Sequence, residues 1–369
     1  MTRAIWWLVC LAISCAFGCK GKSAEAVLGP CSEPSFLERL GAAVSAPACN
    51  AVKPLATRFP AAHRIVAIGD LHGDLSGTRA VLQLAGAIDH SDQWSGGNLV
   101  VIQLGDILDR GNDEQDILDW LETLAEQANA AGGAVHVLNG NHELMNAAGD
   151  FRYVTAGGFA DFRDIDRSPS RPAAPLVENS ASHSLSGRPA SCSPFADLPP
   201  GQRARAAAFF PGGRYARILA RHQVIIMVGD TVFVHGGVLP QHAAHGIERI
   251  NREVQCWLLD GGPIPQHIAS PGSPVWSRHY SMPPEHCAEL EKTLALLGAT
   301  RMVVGHTTQR SGITTACNGR VWRIDTGISV HYGGRIEALE IRQLEVPAEK
   351  ARSGGKAGKL DRGVRILGR

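Results

Sequence analysis

The stretch Arg64-Ile65-Val66-Ala67-Ile68-Gly69-Asp70-Leu71-His72-Gly73 joins a short apolar run to a glycine-flanked turn bearing Asp70 and His72. A run of this length, rich in β-branched residues, reads as a buried strand. Asp70 and His72 then sit at its C-terminal end, two residues apart and able to point to one side. The same grammar recurs. Residues 99–104 run into Gly105-Asp106-Ile107-Leu108-Asp109-Arg110-Gly111, and residues 134–138 run into Gly140-Asn141-His142-Glu143. His235-Gly236-Gly237 and Gly305-His306-Thr307 follow two later apolar runs, 231–234 and 301–304.

Helical spacing at 78–84 and 114–130 alternates with the first three strands. The order β-α-β-α-β predicts a mostly parallel sheet covered by helices, an α/β arrangement. Further helices are expected at 214–221 and 289–297. Late strands at 223–228, 231–234, 301–304, 320–325 and 335–341 predict a second sheet and add α+β character. The expected core is therefore a two-sheet β-sandwich flanked by helices.

The chain of 369 residues is 44% hydrophobic, enough for a large core, and its formal net charge of +1 gives no pull toward nucleic acid. Aromatic residues at 6% argue against a base-stacking surface, so no nucleic-acid partner is expected. Residues 1–19 read as a signal peptide: Arg3 supplies the charge, and the apolar run at 4–17 is short for a membrane span. Ala16-Phe17-Gly18-Cys19-Lys20 is similar to a lipoprotein cleavage site, with Ala16 where Leu is usual. Lipidation of Cys19, with membrane attachment, or ordinary cleavage nearer Ala24 or Ala26 are the two readings. Both predict an exported bacterial protein, periplasmic or lipid-anchored. Residues 20–60 form an approach segment with a short helix at 35–44. The main domain is expected at 61–346, with an insertion at about 163–200, rich in Ser, Pro, Ala and Arg. The basic, glycine-containing tail at 347–369 is expected to be flexible.

Nine cysteines are present, and six remain once Cys10, Cys15 and Cys19 leave with the leader and anchor. An oxidising compartment permits disulfides among them. Cys31 with Cys49 is the favoured local pair and Cys256 with Cys287 the next.

Asp, His and Asn side chains converging at strand ends suit two divalent cations. Phosphate esters resist hydrolysis strongly, and two cations help by generating hydroxide and neutralising phosphoryl oxygens. Asp70 and His72 are expected on one metal, Asp106 as the bridge, and Asn141, His235 and His306 on the second. Mn²⁺, Fe or Zn²⁺ fit such donors. Arg110, with a planar fork, suits phosphate oxygens, and Arg278 is a second clamp. His142 is placed to protonate the leaving oxygen, with Asp109 holding its tautomer. His279, beside Arg278, is a candidate pocket residue, Trp276 reads as core, and Arg203 and Arg205 read as a solvated face.

The ordered motifs GDLHG, GDILDRG, GNHE, HGG and GHT resemble the phosphoprotein phosphatase family of calcineurin-like metallophosphoesterases over about residues 64–342. Within it, residues 210–240 and Val275-Trp276-Ser277-Arg278 look similar to the bacterial, Shewanella-like phosphatases. The resemblance implies the four-layer metallophosphoesterase fold and metal binding by Asp70, His72, Asp106, Asn141, His235 and His306. It also implies an acid role for His142, an orienting one for Asp109, and phosphate contacts from Arg110 and Arg278. The activity implied is dinuclear-metal-dependent phosphomonoester hydrolysis by direct attack of hydroxide on phosphorus. The substrate would be a phosphorylated protein, on Ser, Thr or Tyr, or a small phosphoester. Alternative readings are a nucleotide or dinucleoside polyphosphate hydrolase, and a non-catalytic protein that binds phosphate or metal. Ile324-Asp325-Thr326-Gly327-Ile328-Ser329 stands where the eukaryotic Ser/Thr enzymes carry SAPNYC, so their regulatory partners are not carried over.

Overall fold

The structure, a computed structural model, describes residues 48–166, 195, 198–343 and 362–368. The predicted leader, the helix at 35–44 and most of the insertion lie outside the described residues.

Eleven described strands form two sheets: β1 (Arg58–Phe59), β2 (Arg64–Ile68), β3 (Val100–Gln103), β4 (Ala134–Val137), β5 (Ile225–Val228), β6 (Thr231–Val234), β7 (Arg301–Val304), β8 (Thr314–Ala316), β9 (Val321–Arg323), β10 (Ala338–Gln343) and β11 (Arg362–Leu367). One sheet has the order β11-β10-β2-β3-β4, the other β1-β5-β6-β7-β9-β8. The triplets β2-β3-β4 and β6-β7-β9 are each parallel.

Period-2 alternation explains the layering. Ile65, Ala67, Ile102, Phe233, Val303 and Ile341 form an inter-sheet core drawn from both sheets. Their neighbours Val66, Ile68, Val101, Val232, Val234, Met302 and Val304 face the other way, in the cluster shared with helices. The helix Glu114–Ala130 buries Ile117, Leu118, Leu121 and Leu124 there, at helical spacing. The expected layering of helix, sheet, sheet and helix is what the chain adopts.

Three expectations are corrected. The strand expected at 335–341 belongs to the first sheet, not the second: β10 lies antiparallel to β2, with Leu339 opposite Ala67. There Glu340 pairs with Arg64 of β2, and with Arg342 and Arg365, while Leu339 and Ile341 enter the inter-sheet core. The expected flexible tail contains β11, which adds to β10 and packs Val364 and Ile366 against the same core. Two apolar residues at alternate positions suffice for an edge strand despite the basic surroundings.

The disulfides also differ from expectation. Among the described residues they are Cys49–Cys256 and Cys287–Cys317. The helix Ala48–Ala51 packs on Ile247–Asp260, where the Cys49 N–H donates to Asp260 and Arg252 donates to the Cys49 carbonyl. That docking places Cys49 beside Cys256. Cys31 lies outside the described residues.

Candidate active site

The C-terminal ends of both parallel triplets open on one pocket. Asp70 follows β2, Asp106 follows β3 and Asn141 opens the helix Asn141–Ala147 after β4. His235 follows β6, His306 follows β7 and Asp325 follows β9. Carboxyl ends of parallel strands are where such sheets place ligands. The cavity measures about 100 Å³ and is lined by Asp70, His72, Asp106, Asn141, His142 and His306, together with Arg110, Arg278 and Asp325. His235 lies beneath it, with no exposure.

Tight turns aim these groups. Asp106, His72 and His306 have φ of 56°, 48° and 63°, left-handed values that side chains adopt at some cost. Gly105, at φ +91°, is needed because a Cβ there would run into the Gly140 backbone. Glu143 holds the turn from within. Its carboxylate accepts from the N–H groups of Asp106, Gly140, Ile107 and Leu108 at 2.8, 2.7, 2.8 and 3.1 Å. Glu143→Gln puts an amide N–H₂ against those donors. It is expected to destabilise the protein by about 1–3 kcal/mol and to weaken metal binding by roughly 10–100-fold. Thermal melts and a Mn²⁺ titration check both; unchanged metal affinity would contradict the clamp.

The donor set fits divalent cations. His72 donates its Nδ1 proton to the Leu108 carbonyl at 3.0 Å, and His235 does so to the Leu104 carbonyl at 2.8 Å. A carbonyl can only accept, so Nδ1 carries a proton in both rings and Nε2 is the atom left for a metal. Asn141 Oδ1, Asp106 Oδ2 and His306 Nδ1 lie 3.0, 3.1 and 3.2 Å from His235 Nε2. His306 Nε2 is buried without a hydrogen-bond partner. Acceptors crowded around lone pairs are satisfied by a cation. Two clusters result, His72–Asp106–His142 and Asp106–His235–His306, and they share Asp106. This is a dinuclear arrangement with the carboxylate at the shared position.

The charges agree. Burial, then the Asp325 and Asp106 carboxylates, push Asp70 well above the usual carboxylate range. Burial opposes ionisation of Asp106, but His235, His142 and His72 hold its pKa well below the ordinary value. Burial pulls His72 down to about 4, so its ring is neutral near pH 7.

The structure brings all ten predicted site residues around this pocket. His142 Nδ1 donates to Asp109 Oδ2 at 2.6 Å, while its Nε2 lies 3.8 Å from Asp106 Oδ2. Burial lowers the His142 pKa, but Asp106 and then the Asp109 hydrogen bond outweigh it, and the net shift is upward. Arg110 stacks over the Tyr153 ring at 4.0 Å, its buried Nε unpaired. Arg278 is tied to the His306 carbonyl and to Thr307 Oγ1, each at 2.9 Å.

Several residues went unread. Trp276, expected in the core, lines the pocket with its ring 5.7 Å from that of His306. His279 does not line it. Arg205, expected on a solvated face, is completely buried and its guanidinium reaches Asp109 Oδ1 at 3.2 Å. Its helix, Pro200–Phe209, gives no local signal for this; the partner lies 96 residues away in the chain. Glu143 and Asp325 are buried carboxylates whose available signal was their place in Gly140-Asn141-His142-Glu143 and in residues 324–329.

Comparison with known proteins places this geometry. The family model for calcineurin-like phosphoesterases matches residues 63–310. Shewanella-like protein phosphatase 2 of Arabidopsis thaliana is 44% identical over 309 residues, 78% of each chain. Shewanella-like protein phosphatase 1 of Plasmodium berghei is 29% identical over 78% of this chain and 75% of its own length. The crystal structure of a cold-active protein-tyrosine phosphatase from a psychrophilic Shewanella species has the same fold, with a TM-score of 0.60, 23% identity and 82% of each chain covered. The chain thus belongs to the calcineurin-like phosphoesterase family, in its Shewanella-like group, and is a metal-dependent phosphomonoester hydrolase.

Proposed function

We propose that the protein is an exported protein phosphatase that uses Mn²⁺. The observation that carries the phosphatase reading is the His142–Asp109 pair at 2.6 Å beside donor clusters that share Asp106. Bound at that donor set, two divalent cations would supply an activated water nucleophile and neutralise phosphoryl charge. Asp70, His72, Asp106, Asn141, His235 and His306 would hold them. Arg110 and Arg278, both lining the cavity, orient the phosphoryl oxygens by N–H donors. His142 delivers a proton from Nε2 to the departing oxygen, and Asp109 fixes the ring with its proton on Nδ1. A protein substrate is favoured by the 44% identity to a relative described as a protein phosphatase. Export rests on the leader at residues 1–19, ending either in lipidation of Cys19 or in cleavage nearer Ala24 or Ala26.

Phosphate release from phosphoserine, phosphothreonine and phosphotyrosine peptides, set beside diadenosine tetraphosphate, tests the substrate class. A phosphopeptide is expected to turn over fastest. Preference for the dinucleotide would overturn the protein-phosphatase reading.

A further inference from the structure

Thr307 follows His306 in the chain but does not line the pocket. Its hydroxyl is spent on Arg278, which does. Arg278 Nη1 donates to Thr307 Oγ1 and to the His306 carbonyl, each at 2.9 Å. Thr307 Oγ1 lies 2.6 Å from Ser281 Oγ. Ser281 Oγ reaches the Arg278 carbonyl at 3.4 Å, the longest of these contacts. That carbonyl also accepts from the N–H groups of Ser281 and Met282, each at 3.1 Å.

Proton counting gives the direction. A guanidinium only donates, a carbonyl only accepts, and a hydroxyl carries one proton. The arrangement that uses every hydroxyl proton runs from Arg278 Nη1 to Thr307, from Thr307 to Ser281, and from Ser281 to the Arg278 carbonyl. The circuit begins and ends on one residue, and bonds aligned head to tail strengthen one another. The backbone beneath is fixed separately: Tyr280 is fully buried, and its carbonyl accepts from Arg323 Nε at 2.9 Å. The hydroxyls therefore act on the guanidinium. Among the described residues, Arg278 Nε and Nη2 make no hydrogen bond, which leaves one edge of the planar fork for two oxygens.

We propose that Thr307, aided by Ser281, is a positioning residue for phosphoryl binding: its hydroxyl sets the Arg278 guanidinium before the substrate arrives. This rests on the phosphate contact assigned to Arg278. A loose arginine gives up rotamer freedom when it meets an anion. One tied at Nη1 has given it up already in the folded protein, so that loss no longer weakens phosphate binding.

The test is KM for a phosphopeptide together with the dissociation constant of inorganic phosphate, read by titration calorimetry on Mn²⁺-loaded protein. Thr307→Val keeps a similar shape and removes the hydroxyl. It is expected to raise both constants by about 3–10-fold, with kcat and Mn²⁺ affinity near those of the parent. Thr307→Ser keeps the hydroxyl and should restore the parental values. Arg278→Ala should weaken phosphate binding by roughly 10–100-fold. Parental phosphate affinity in Thr307→Val, or Thr307→Ser as weak as Thr307→Val, would overturn the positioning role while leaving Arg278 a phosphate contact. Weakened Mn²⁺ binding in Thr307→Val would place the effect on His306 and overturn it as well. Parental affinity in Arg278→Ala would remove the arginine's phosphate role, and the positioning role with it.

Discussion

His142→Ala is expected to lower kcat on a phosphoserine peptide by about 10²–10⁴-fold, with a much smaller loss on 4-nitrophenyl phosphate. A serine alkoxide leaves poorly without a proton, whereas 4-nitrophenolate needs none. The imidazole is held for that proton transfer: Nδ1 is bound by Asp109 at 2.6 Å, and Asp109 Oδ1 accepts in turn from Asn146 at 3.0 Å and Arg205 at 3.2 Å. The opposite nitrogen faces the cavity beside Asp106. Steady-state kinetics on the two substrates make the comparison. Equal losses on both would show that His142 acts through binding or structure and not as an acid.

Arg205→Leu is expected to destabilise the fold by about 3–5 kcal/mol, because it strands buried carboxylates. Arg205, Asp109 and Glu114 all have no exposure. The guanidinium bonds Asp109, Glu114, the Asn146 amide oxygen and the Gly158 carbonyl, and lies near the rings of Phe162 and Phe209. Burial raises the Glu114 pKa from 4.5 to about 7, with Arg205 opposing and Asp109 adding to the rise. Removing Arg205 raises it further. A carboxyl whose folded pKa exceeds its unfolded one favours the folded state below the unfolded value and loses that advantage as pH rises through the folded value. The deficit of the variant should therefore be larger at pH 8 than at pH 5. Urea midpoints at both pH values check this; a deficit under about 1 kcal/mol, or one that grows toward acid, would contradict it.

What could be read early was local. The strand Arg64–Ile68, the helix Glu114–Ala130 and the strands Thr231–Val234 and Arg301–Val304 stand where their periodicity put them, because the pattern that makes each is contained in the segment itself. Metal-ligand types after apolar runs carried the pocket for the same reason. What escaped was decided by partners far away. β10 joins β2 across more than half the chain, and nothing in Ala338–Gln343 names its sheet. Cys49 meets Cys256 only once the helix Ala48–Ala51 has docked. Arg205 sits in an alanine-rich helix whose neighbours suggest solvent, and only the folded core supplies its carboxylates. Trp276 carries no ligand-type side chain, and its ring meets that of His306 only when β7 is in place.

The measurement that bears most directly on the account is phosphate release from a phosphopeptide by chain stripped of metal and then titrated with Mn²⁺, beside Asp106→Asn treated the same way. Asp106 belongs to both donor clusters. Turnover should vanish on stripping, return as Mn²⁺ is added, and stay absent in Asp106→Asn. Hydrolysis that survives stripping, or that Asp106→Asn retains, would contradict a dinuclear metal centre as the source of activity.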